Sequence, residues 1–570
     1  MTPSHSTDPT ARRTDPFRWE EDRIARAFDH FSDPHGDTSQ RQFAHDQGIP
    51  RSTLGYWLRQ PDPTDVDPLL AAFLRSAAGH ALLRRLVLAL FLVFVYRGAC
   101  GLRLLGLFLR LTQLDHFVAA SHGALHALAQ AIQADLGAFA QEERARLAAG
   151  MAPRDIALVA DEHFHGDDPC LVAIEPASNF LLVEQYAQHR DAATWTAAIE
   201  QAIDGLPVEV VLLSSDQAKG LLACAGSGLE AQHLAELFHG QRDLCRPLMG
   251  PLKRRQEAAA KELRQAEELA QHWRDESAKA QAGPPRPGRK TDYGWRIALS
   301  AALAAHQAEQ AQACLAQKEQ AKDAVAGLAD DYHPFDAQTG APLSAAQMEQ
   351  RLGQRLGTLE QLTQQAGLLS KATEALSKGR AWTQALVAAL AWFWSVARAK
   401  VEGLQLSEPA ERLVNDKVLP GLYWQQAARR GRTASERRQK RELAERLLRE
   451  AWQADSVLGG LSAPERRQVE RVGQEVVGLF ARSSSCVEGR NGRLSLFHHG
   501  QCRLSAARLV ALTAVHNYMA ERPEGTTAAE RFFGHKPRDV FAWLLQRMPD
   551  LPRPAAKRPR KANRSVSTAA

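Results

Sequence analysis

The stretch IALVADEHFHG (156–166) is a short apolar run that ends at an acidic residue, Asp161. A second stretch, VEVVLLSSDQAKG (208–220), repeats the pattern and ends its apolar run at Asp216. Short runs rich in Val, Leu and Ile, bounded by polar residues, are typical of buried β-strands. A carboxylate that follows a buried strand is held rigidly at the rim of a sheet. The two stretches therefore predict two carboxylates at a sheet edge.

The neighbouring residues favour a particular sheet. Three more β-rich runs and one helical stretch accompany the first two, with turn signals between them: CLVAIEP (170–176), FLLVEQYAQ (180–188), the helical RDAATWTAAIEQAIDGL (190–206) and HLAELFHG (233–240). Three antiparallel strands, a helix and a buried strand follow one another in ribonuclease H-like folds. In that fold the first acid lies on strand one and the second just after strand four. We expect a ribonuclease H-like mixed sheet with Asp161 and Asp216 in those places.

The rest of the chain is mainly helical in pattern, which predicts a multidomain α and α/β protein. LRLLGLFLRLTQLDHFVAASHGALHALAQAI (102–132) fits either a second helix-turn-helix or a core bundle. The expected segments are a disordered lead (1–35), a helix-turn-helix with its linker (36–68), a helical region (69–150), the first part of the sheet domain (151–246), a large all-α insertion (247–480), the second part of the sheet domain (481–550) and a basic disordered tail (551–570).

The stretch SQRQFAHDQGIPRSTLGYWLRQ (39–60) has the pattern of a helix-turn-helix. Ala44 is small where two helices would cross, and Gly48 suits a turn that needs a positive φ. The second helix of such a unit presents its outer side chains to the major groove of DNA. The side chains expected to face DNA are Arg51, Ser52, Thr53, Tyr56 and Arg59. A plain helical hairpin is the alternative.

Composition limits the classes of protein that are compatible with the chain. Its 570 residues carry a net charge of +6, with basic clusters at 429–441 and 557–564, which is compatible with binding to nucleic acid. The seven cysteines form no CxxC pair, which argues against a structural zinc site and a disulfide framework. The polar N-terminus lacks a signal-peptide core. The run LVLALFLVFVY (86–96) is too short to span a bilayer, and it predicts a buried helix, with a membrane anchor as the minor alternative. We expect a cytoplasmic protein with no membrane partner.

Several stretches resemble bacterial insertion-sequence transposases of the DDE class. They are VADEHFHG (159–166), LLSSDQAKGL (212–221), ELFHGQRD (236–243), SSSCVEGRNGRLSLFHHG (483–500) and RLVALTAVHNYMAERPEGTTAAERFFG (508–534). The resemblance covers roughly residues 40–545, and a helical insertion before the final Glu matches known transposase architectures. It implies cleavage of DNA at the terminal inverted repeats of an insertion sequence and joining to target DNA. It also implies a nucleoid-associated protein that acts as a homodimer in a synaptic complex.

The resemblance implies Glu488 as the third acid, beside Asp161 and Asp216. Three such carboxylates suit two Mg²⁺ (or Mn²⁺) ions, the apparatus for in-line displacement at a phosphodiester. Glu184, Glu230 and Glu236 compete for the third position. The polar neighbours of the acids, which suit contacts with phosphate, are Lys219, Arg490, Asn491 and Arg493.

Two further features carry weaker signals. The cluster DEHFHGDD (161–168) has the residue types of a zinc or iron site, although no partner ligands stand out elsewhere. Trp382, Trp392 and Trp394 lie in one predicted helix, where an aromatic side chain would be able to stack on a flipped base. A tryptophan-rich helix is more often part of a core. The alternatives to a transposase are a metal-dependent nuclease without strand transfer and a non-catalytic DNA-binding relative.

Overall fold

The computed structural model describes residues 39–51, 54, 66–216, 218–284, 288, 290–368, 370–431, 433–480, 485–498 and 503–554. The chain forms two compact units. The first comprises residues 1–151, 165–167 and 492–570, and the second comprises residues 152–164 and 168–491. The predicted lead (1–35), most of the predicted tail, and the side chains of Ser52, Thr53, Tyr56 and Arg59 lie outside the described residues.

The first unit opens with helix α1 (Gln40–Asp46), which the side chain of Ser39 caps. Gly48 follows with a φ of +60°, a conformation that glycine adopts without strain. Phe43, Ala44 and Leu54 are buried in this segment. A glycine turn with buried residues on either side agrees with the helix-turn-helix pattern in the described part of this segment. Arg51, which follows the turn, is exposed.

Further helices complete the first unit: α2 (Pro68–Arg75), α3 (Ala77–Leu90, continued by a π-helical turn Phe91–Arg97), α4 (Leu102–Leu111) and α5 (His122–Ala148). The helix Ala77–Arg97 is longer than the apolar run that predicted it. It is the one helix among the described residues that is long and apolar enough to cross a membrane, a test that core helices also pass. Tyr96 in this helix is buried and donates to the Ala129 carbonyl, as expected of a core position.

The second unit contains a five-stranded sheet in the order β3-β2-β1-β4-β5. Its elements are β1 (Arg154–His165), β2 (Asp168–Glu175), β3 (Phe180–Tyr186), helix α6 (Ala192–Ile203), β4 (Val208–Ser215), the short helix α7 (Lys219–Ala223) and β5 (Gln232–Ala235). Strand β4 is parallel to both β1 and β5, whereas β2 and β3 are antiparallel. The sheet is therefore mixed, as the strand pattern predicted.

The chain between the sheet and residue 480 is helical, as predicted. Its helices are α8 (Leu237–Ala282), α9 (Tyr293–Asp331), α10 (Ala345–Gln365), α11 (Ser370–Glu402), α12 (Glu408–Leu413, followed by a π-helical turn Val414–Val418), α13 (Leu419–Ala428), α14 (Ala434–Ala451) and α15 (Ala463–Gly478). Ser462 and Glu465 form a capping box at the start of α15.

The predicted boundary at residue 247 is wrong, because α8 begins at Leu237 and continues through Pro247 and Pro251. Leu244 and Leu252 of this helix are fully buried. They belong to one hydrophobic core that also contains Ala157 and Leu212 of the sheet. The helical segment and the sheet thus share a core instead of forming separate domains.

The closing helices are α16 (Ser485–His498), α17 (Ala506–Tyr518), α18 (Ala528–Phe533) and α19 (Val540–Arg547). The last three belong to the first unit, where Phe139 of α5 meets Tyr518 and Trp543 edge to face. The buried carboxylate of Glu143 accepts hydrogen bonds from Arg146 and Arg538. The predicted sheet-domain segment 481–550 is therefore divided, because only its first residues lie in the unit that contains the sheet.

Candidate functional site

Asp161 and Asp216 lie just beyond the point at which the parallel pairing of β1 with β4 ends, although β1 itself continues to His165. The ladder between β1 and β4 closes with the pair Val159 and Ser214. Asp161 and Asp216 each lie two residues beyond that pair, so they occupy equivalent positions along the two strands. Neighbouring strands are about 4.8 Å apart. The fold thus brings the two sequence-predicted acids to the same level of the sheet.

Local hydrogen bonds orient both carboxylates. Oδ1 of Asp161 accepts from the backbone N–H of Glu162 at 2.9 Å. Oδ1 of Asp216 accepts from the backbone N–H of Ala218 at 3.0 Å, in the turn that leads into α7. Asp161 is half-buried and Asp216 is exposed. Each carboxylate accepts a hydrogen bond from a backbone N–H one or two residues further along the chain, at a position that solvent reaches.

The neighbouring acid Glu162 has a different partner. Its carboxylate accepts from Arg190 at 2.7 Å, and its side chain is 10% exposed. An ion pair of this kind neutralises the charge of Glu162 and fixes its side chain. Of the two consecutive acids, Asp161 therefore remains the better candidate for a cation ligand.

A histidine lies close to the second acid. His233 of β5 makes a hydrogen bond of 2.9 Å with the hydroxyl of Ser215. Burial lowers the pKa of His233 to about 4, and the nearby charge of Asp216 opposes this shift only in part. The imidazole is consequently neutral at pH 7, and it adds no positive charge beside Asp216.

A further acid, Glu236, lies at the same level of the sheet on the other side of β4. The ladder between β4 and β5 closes with Ser215 and Ala235, and the backbone N–H of Glu236 donates to the Ser215 carbonyl. The residue after this pair is Asp216 on one strand and Glu236 on the other. In contrast to Asp216, Glu236 is buried. Of the three competitors for the third acid, it is the one that the parallel strands align with Asp161 and Asp216.

Glu488 lies in the first turn of α16 and its side chain is exposed. An acid in the first turn of a helix is stabilised by the helix dipole. Among the described residues, no group of three or more His, Cys, Asp or Glu side chains is close enough to hold a metal ion. The structure therefore brings Asp161 and Asp216 together, and it does not bring Glu488 into a three-acid cluster with them.

Arg490, which the sequence predicted to contact DNA, is buried instead. Its guanidinium donates two hydrogen bonds to the Glu184 carboxylate of β3, at 2.6 and 2.5 Å. The physical reason is electrostatic, since two opposite charges that are withdrawn from water must pair. The same ion pair occupies Glu184, which had been a competitor for the third acid.

The other predicted phosphate contacts lie in varied settings. Lys219 is exposed at the start of α7, three residues after Asp216, and Arg493 is half-buried on α16. Oδ1 of Asn491 is buried and accepts no hydrogen bond from the described part of the chain. Lys219 is thus the member of this set whose position and exposure best fit a contact with phosphate near the two aspartates.

The tryptophans of α11 lie in or against the shared core. Trp382 is 3% exposed, and its indole N–H donates to the Glu236 carbonyl. Trp394 is half-buried and donates to the Leu343 carbonyl. Trp392 is half-buried too. The placement of Trp382 and Trp394 fits the alternative of core packing, and it leaves the rings of Trp382 no room for a base.

The cluster DEHFHGDD (161–168) covers the last residues of β1, its turn with β2 and the first residue of β2. His165 is buried, and its ring lies 4.0 Å from the ring of His498, centroid to centroid. In the described part of the chain, these histidines belong to no group of three or more His, Cys, Asp or Glu side chains that would hold a metal ion. Carboxylate oxygens are the donors that hard divalent cations prefer, and the donors at the strand ends are Asp161 and Asp216. The donor set therefore fits Mg²⁺ or Mn²⁺ better than zinc.

A family model described as a family of unknown function (DUF6399) matches residues 414–560. The matched segment is less than half of the chain, and it contains α16 with Glu488 and Arg490. No curated protein and no solved structure matches the chain.

Two features of the site were not predicted from the sequence. The ion pair of Glu184 with Arg490 joins residues 306 positions apart, a distance at which local sequence gives no signal. The alignment of Glu236 with Asp216 depends on the register of a strand of four residues, Gln232–Ala235. The signal available for Glu236 was its place directly after a short apolar run.

Proposed function

We propose that the protein is a DDE-type DNA transposase, which cleaves the terminal inverted repeats of an insertion sequence and joins them to target DNA. The observation that carries the proposal is the matched position of Asp161 and Asp216 at the ends of β1 and β4. In open sheets with parallel strands, ligands bind outside the carboxyl ends of the strands. Two carboxylates at that edge suit a cation that contacts a phosphate.

The topology of the sheet supports a ribonuclease H-like catalytic domain. The strand order β3-β2-β1-β4-β5, with an antiparallel β2–β3 pair and parallel β1, β4 and β5, is the arrangement expected of that fold. The chain between β5 and α16 is all-α, which agrees with a helical insertion before the final acid. A fold of this kind serves several activities, so the acids carry the functional argument.

In the proposed enzyme, Asp161, Asp216 and Glu488 hold two Mg²⁺ or Mn²⁺ ions. When bound, such ions lower the pKa of the attacking oxygen and stabilise the leaving oxygen at a phosphodiester. The backbone N–H groups of Glu162 and Ala218 each donate a hydrogen bond to one oxygen of Asp161 and Asp216, respectively, and these bonds help to orient the two carboxylates. The neutral imidazole of His233 adds no competing charge at this edge.

The proposed partner is DNA. Arg51 is exposed after the turn of the helix-turn-helix segment, where a recognition helix would begin. Lys219 is exposed beside the strand ends, in reach of a phosphate that meets the two aspartates. A homodimer that brings two element ends together, and a location on the nucleoid in the cytoplasm, complete the proposal.

The test uses full-length protein and linear duplexes that carry the sequences flanking its gene. Cleavage is followed on denaturing gels in Mg²⁺, Mn²⁺ or EDTA, and joined products are sequenced. We expect metal-dependent cuts at the ends of inverted repeats, followed by junctions with target DNA. Specific binding without any cut would favour a non-catalytic DNA-binding protein. Cuts without junctions would favour a nuclease.

A further inference from the structure

We infer that Glu184 and Arg490 form a buried clamp that holds α16 on the sheet and thereby positions Glu488, which this helix carries. This inference rests on the proposed function of Glu488, and it adds two positioning residues on elements far apart in the chain. The clamp joins β3, at one edge of the sheet, to α16, which carries Glu488 in its first turn.

The geometry of the clamp is restrictive. Nε and Nη2 of Arg490 donate to the two carboxylate oxygens of Glu184 at 2.6 and 2.5 Å. The side chains of Arg490 and Glu184 are 2% and 0% exposed. A paired fork of two parallel hydrogen bonds fixes direction as well as distance. The clamp therefore sets the orientation of α16 on β3. Contacts between apolar side chains alone would leave this orientation open.

The rest of the buried face of α16 is apolar. Val487, Leu494 and Phe497 are buried with Arg490, at the spacing of one helical stripe. Within this stripe Arg490 is the one charged member. A shift of the helix by one turn would separate the charge of Arg490 from that of Glu184 in a buried setting, which is strongly unfavourable. A polar residue in an apolar seam fixes register in the same way in coiled coils.

The charge of the neighbouring strand supports the same placement. Burial raises the pKa of the Cys170 thiol on β2, with the charge of Glu184 acting in the same direction and that of Arg490 against it. Both members of the clamp therefore lie beside β2, one strand away from β1 and Asp161 in the order of the sheet.

Glu488 is two residues from Arg490 on the same helix, and successive residues turn by about 100°. When Arg490 faces the sheet, Glu488 is rotated away from the buried stripe, which agrees with its exposure. The clamp thus fixes both the height and the rotation of Glu488. The competing acid Glu236 lies beyond β4, at the opposite edge of the sheet from β3.

The decisive variant is Arg490→Lys, which keeps the charge and removes the fork. The matched control is Arg538→Lys, in which an arginine that also donates to a buried carboxylate, Glu143, is changed in the first unit. A third variant, Glu184→Arg with Arg490→Glu, restores the pair with its charges exchanged. Each variant is assayed for single-turnover cleavage, for DNA affinity, and for amide hydrogen exchange across residues 485–498.

We expect Arg490→Lys to lower the cleavage rate about 100-fold, because a displacement of about 1 Å costs that much in a positioned site. DNA affinity stays within about twofold, and the amides of 485–498 exchange faster. The cleavage rate of Arg538→Lys stays at the wild-type value, and the exchanged pair regains at least about tenfold over Arg490→Lys.

The inference is overturned if folded Arg490→Lys cleaves at the wild-type rate, or if its amides at 485–498 exchange as slowly as in the wild type. Failure of the proposed function gives a different result, in which the wild type itself does not cleave DNA. Hydrogen exchange separates the two failures, because it reports the attachment of α16 whether or not the protein cuts DNA.

Discussion

Asp161 and Asp216 occupy equivalent positions just beyond the carboxyl end of the segment in which the parallel strands β1 and β4 pair. Each lies two residues beyond the last matched pair of the ladder, Val159 with Ser214. The two acids are 55 positions apart in the sequence, and the register of β1 against β4 brings them level. The arrangement is a property of the folded sheet, since it depends on parallel pairing across a helical connection.

A second acidic pair shows why the end of the strand matters. Asp155 and Glu209 are directly matched near the amino ends of the same two strands. There, Nζ of Lys400 lies 2.8 Å from the Asp155 carboxylate and 2.9 Å from the Glu475 carboxylate, so a cation of the protein already pairs with Asp155. At the other end of the paired segment, one oxygen of Asp161 and one of Asp216 accept hydrogen bonds from backbone N–H groups. This contrast makes Glu209 a matched control for Asp216.

The third acid is tested by comparing Glu488→Gln with Glu236→Gln. We expect Glu488→Gln to lower metal-dependent cleavage at least about 100-fold. The variant removes a negatively charged ligand of the cation, and the cation stabilises the charge that develops at the phosphate. Its thermal midpoint stays unchanged, since the side chain is exposed. We expect Glu236→Gln to cleave within about threefold of the wild type. A large loss of cleavage in Glu236→Gln, together with near wild-type cleavage in Glu488→Gln, would identify Glu236 as the third acid.

Asp336 provides a test of stability against pH. Burial alone would raise its pKa, but hydrogen bonds from Thr339, Gln338 and Arg351 outweigh burial and lower the pKa from 3.8 to about 2. A lowered pKa stabilises the fold above the unfolded value, and this stability is lost as the pH falls from about 4 towards 2. The shift corresponds to about 2 kcal/mol.

We therefore expect Asp336→Asn to lower the free energy of unfolding by about 2 kcal/mol at pH 7 and by about half as much at pH 3. Urea denaturation at both pH values measures the difference. Asp323→Asn, at an exposed position on α9, is the control and leaves stability unchanged at either pH. Equal effects of Asp336→Asn at pH 7 and pH 3 would show that its carboxylate charge contributes nothing.

The close approach of α8 to α11 depends on Gly240. A Cβ at this position would lie 2.3 Å from the ring of Trp382, which is 3% exposed. We expect Gly240→Ala to destabilise the protein by about 1–3 kcal/mol, because the ring has little room to move. Gly353→Ala, on α10 with nothing within 4 Å, is the control and stabilises by up to about 1 kcal/mol. A Gly240→Ala variant as stable as the wild type would contradict the described packing.

The strands were predictable because the apolar runs are short and separated by clear turn signals. The start of the helical segment was not, since Pro247 is a local signal that tertiary packing overrides. Leu244, Leu248 and Leu252 recur every four residues on α8 and are all buried, and their burial offsets the cost of the prolines. Helix α11 is continuous from Ser370 to Glu402, and α10 ends shortly before Gly367, where φ is +59°.

At the candidate site, the sequence predicted the two aspartates and their sheet, and it misassigned Arg490. An arginine beside a candidate catalytic acid has the pattern of a phosphate contact, and only the fold shows that Glu184 lies opposite. For the same reason, the sequence did not decide between base stacking and core packing for Trp382. The pattern of the helix does not show which face is covered, and the covering residue Gly240 lies on another helix.

The account is tested most directly by metal-dependent cleavage of the flanking DNA by Asp161→Asn and Asp216→Asn, beside Glu209→Gln. All three variants are first shown to bind the same duplex as tightly as the wild type. We expect both aspartate variants to lose at least about 100-fold in cleavage rate in Mg²⁺, and Glu209→Gln to cleave as the wild type does. Wild-type rates in either aspartate variant would contradict a shared cation site at the ends of β1 and β4.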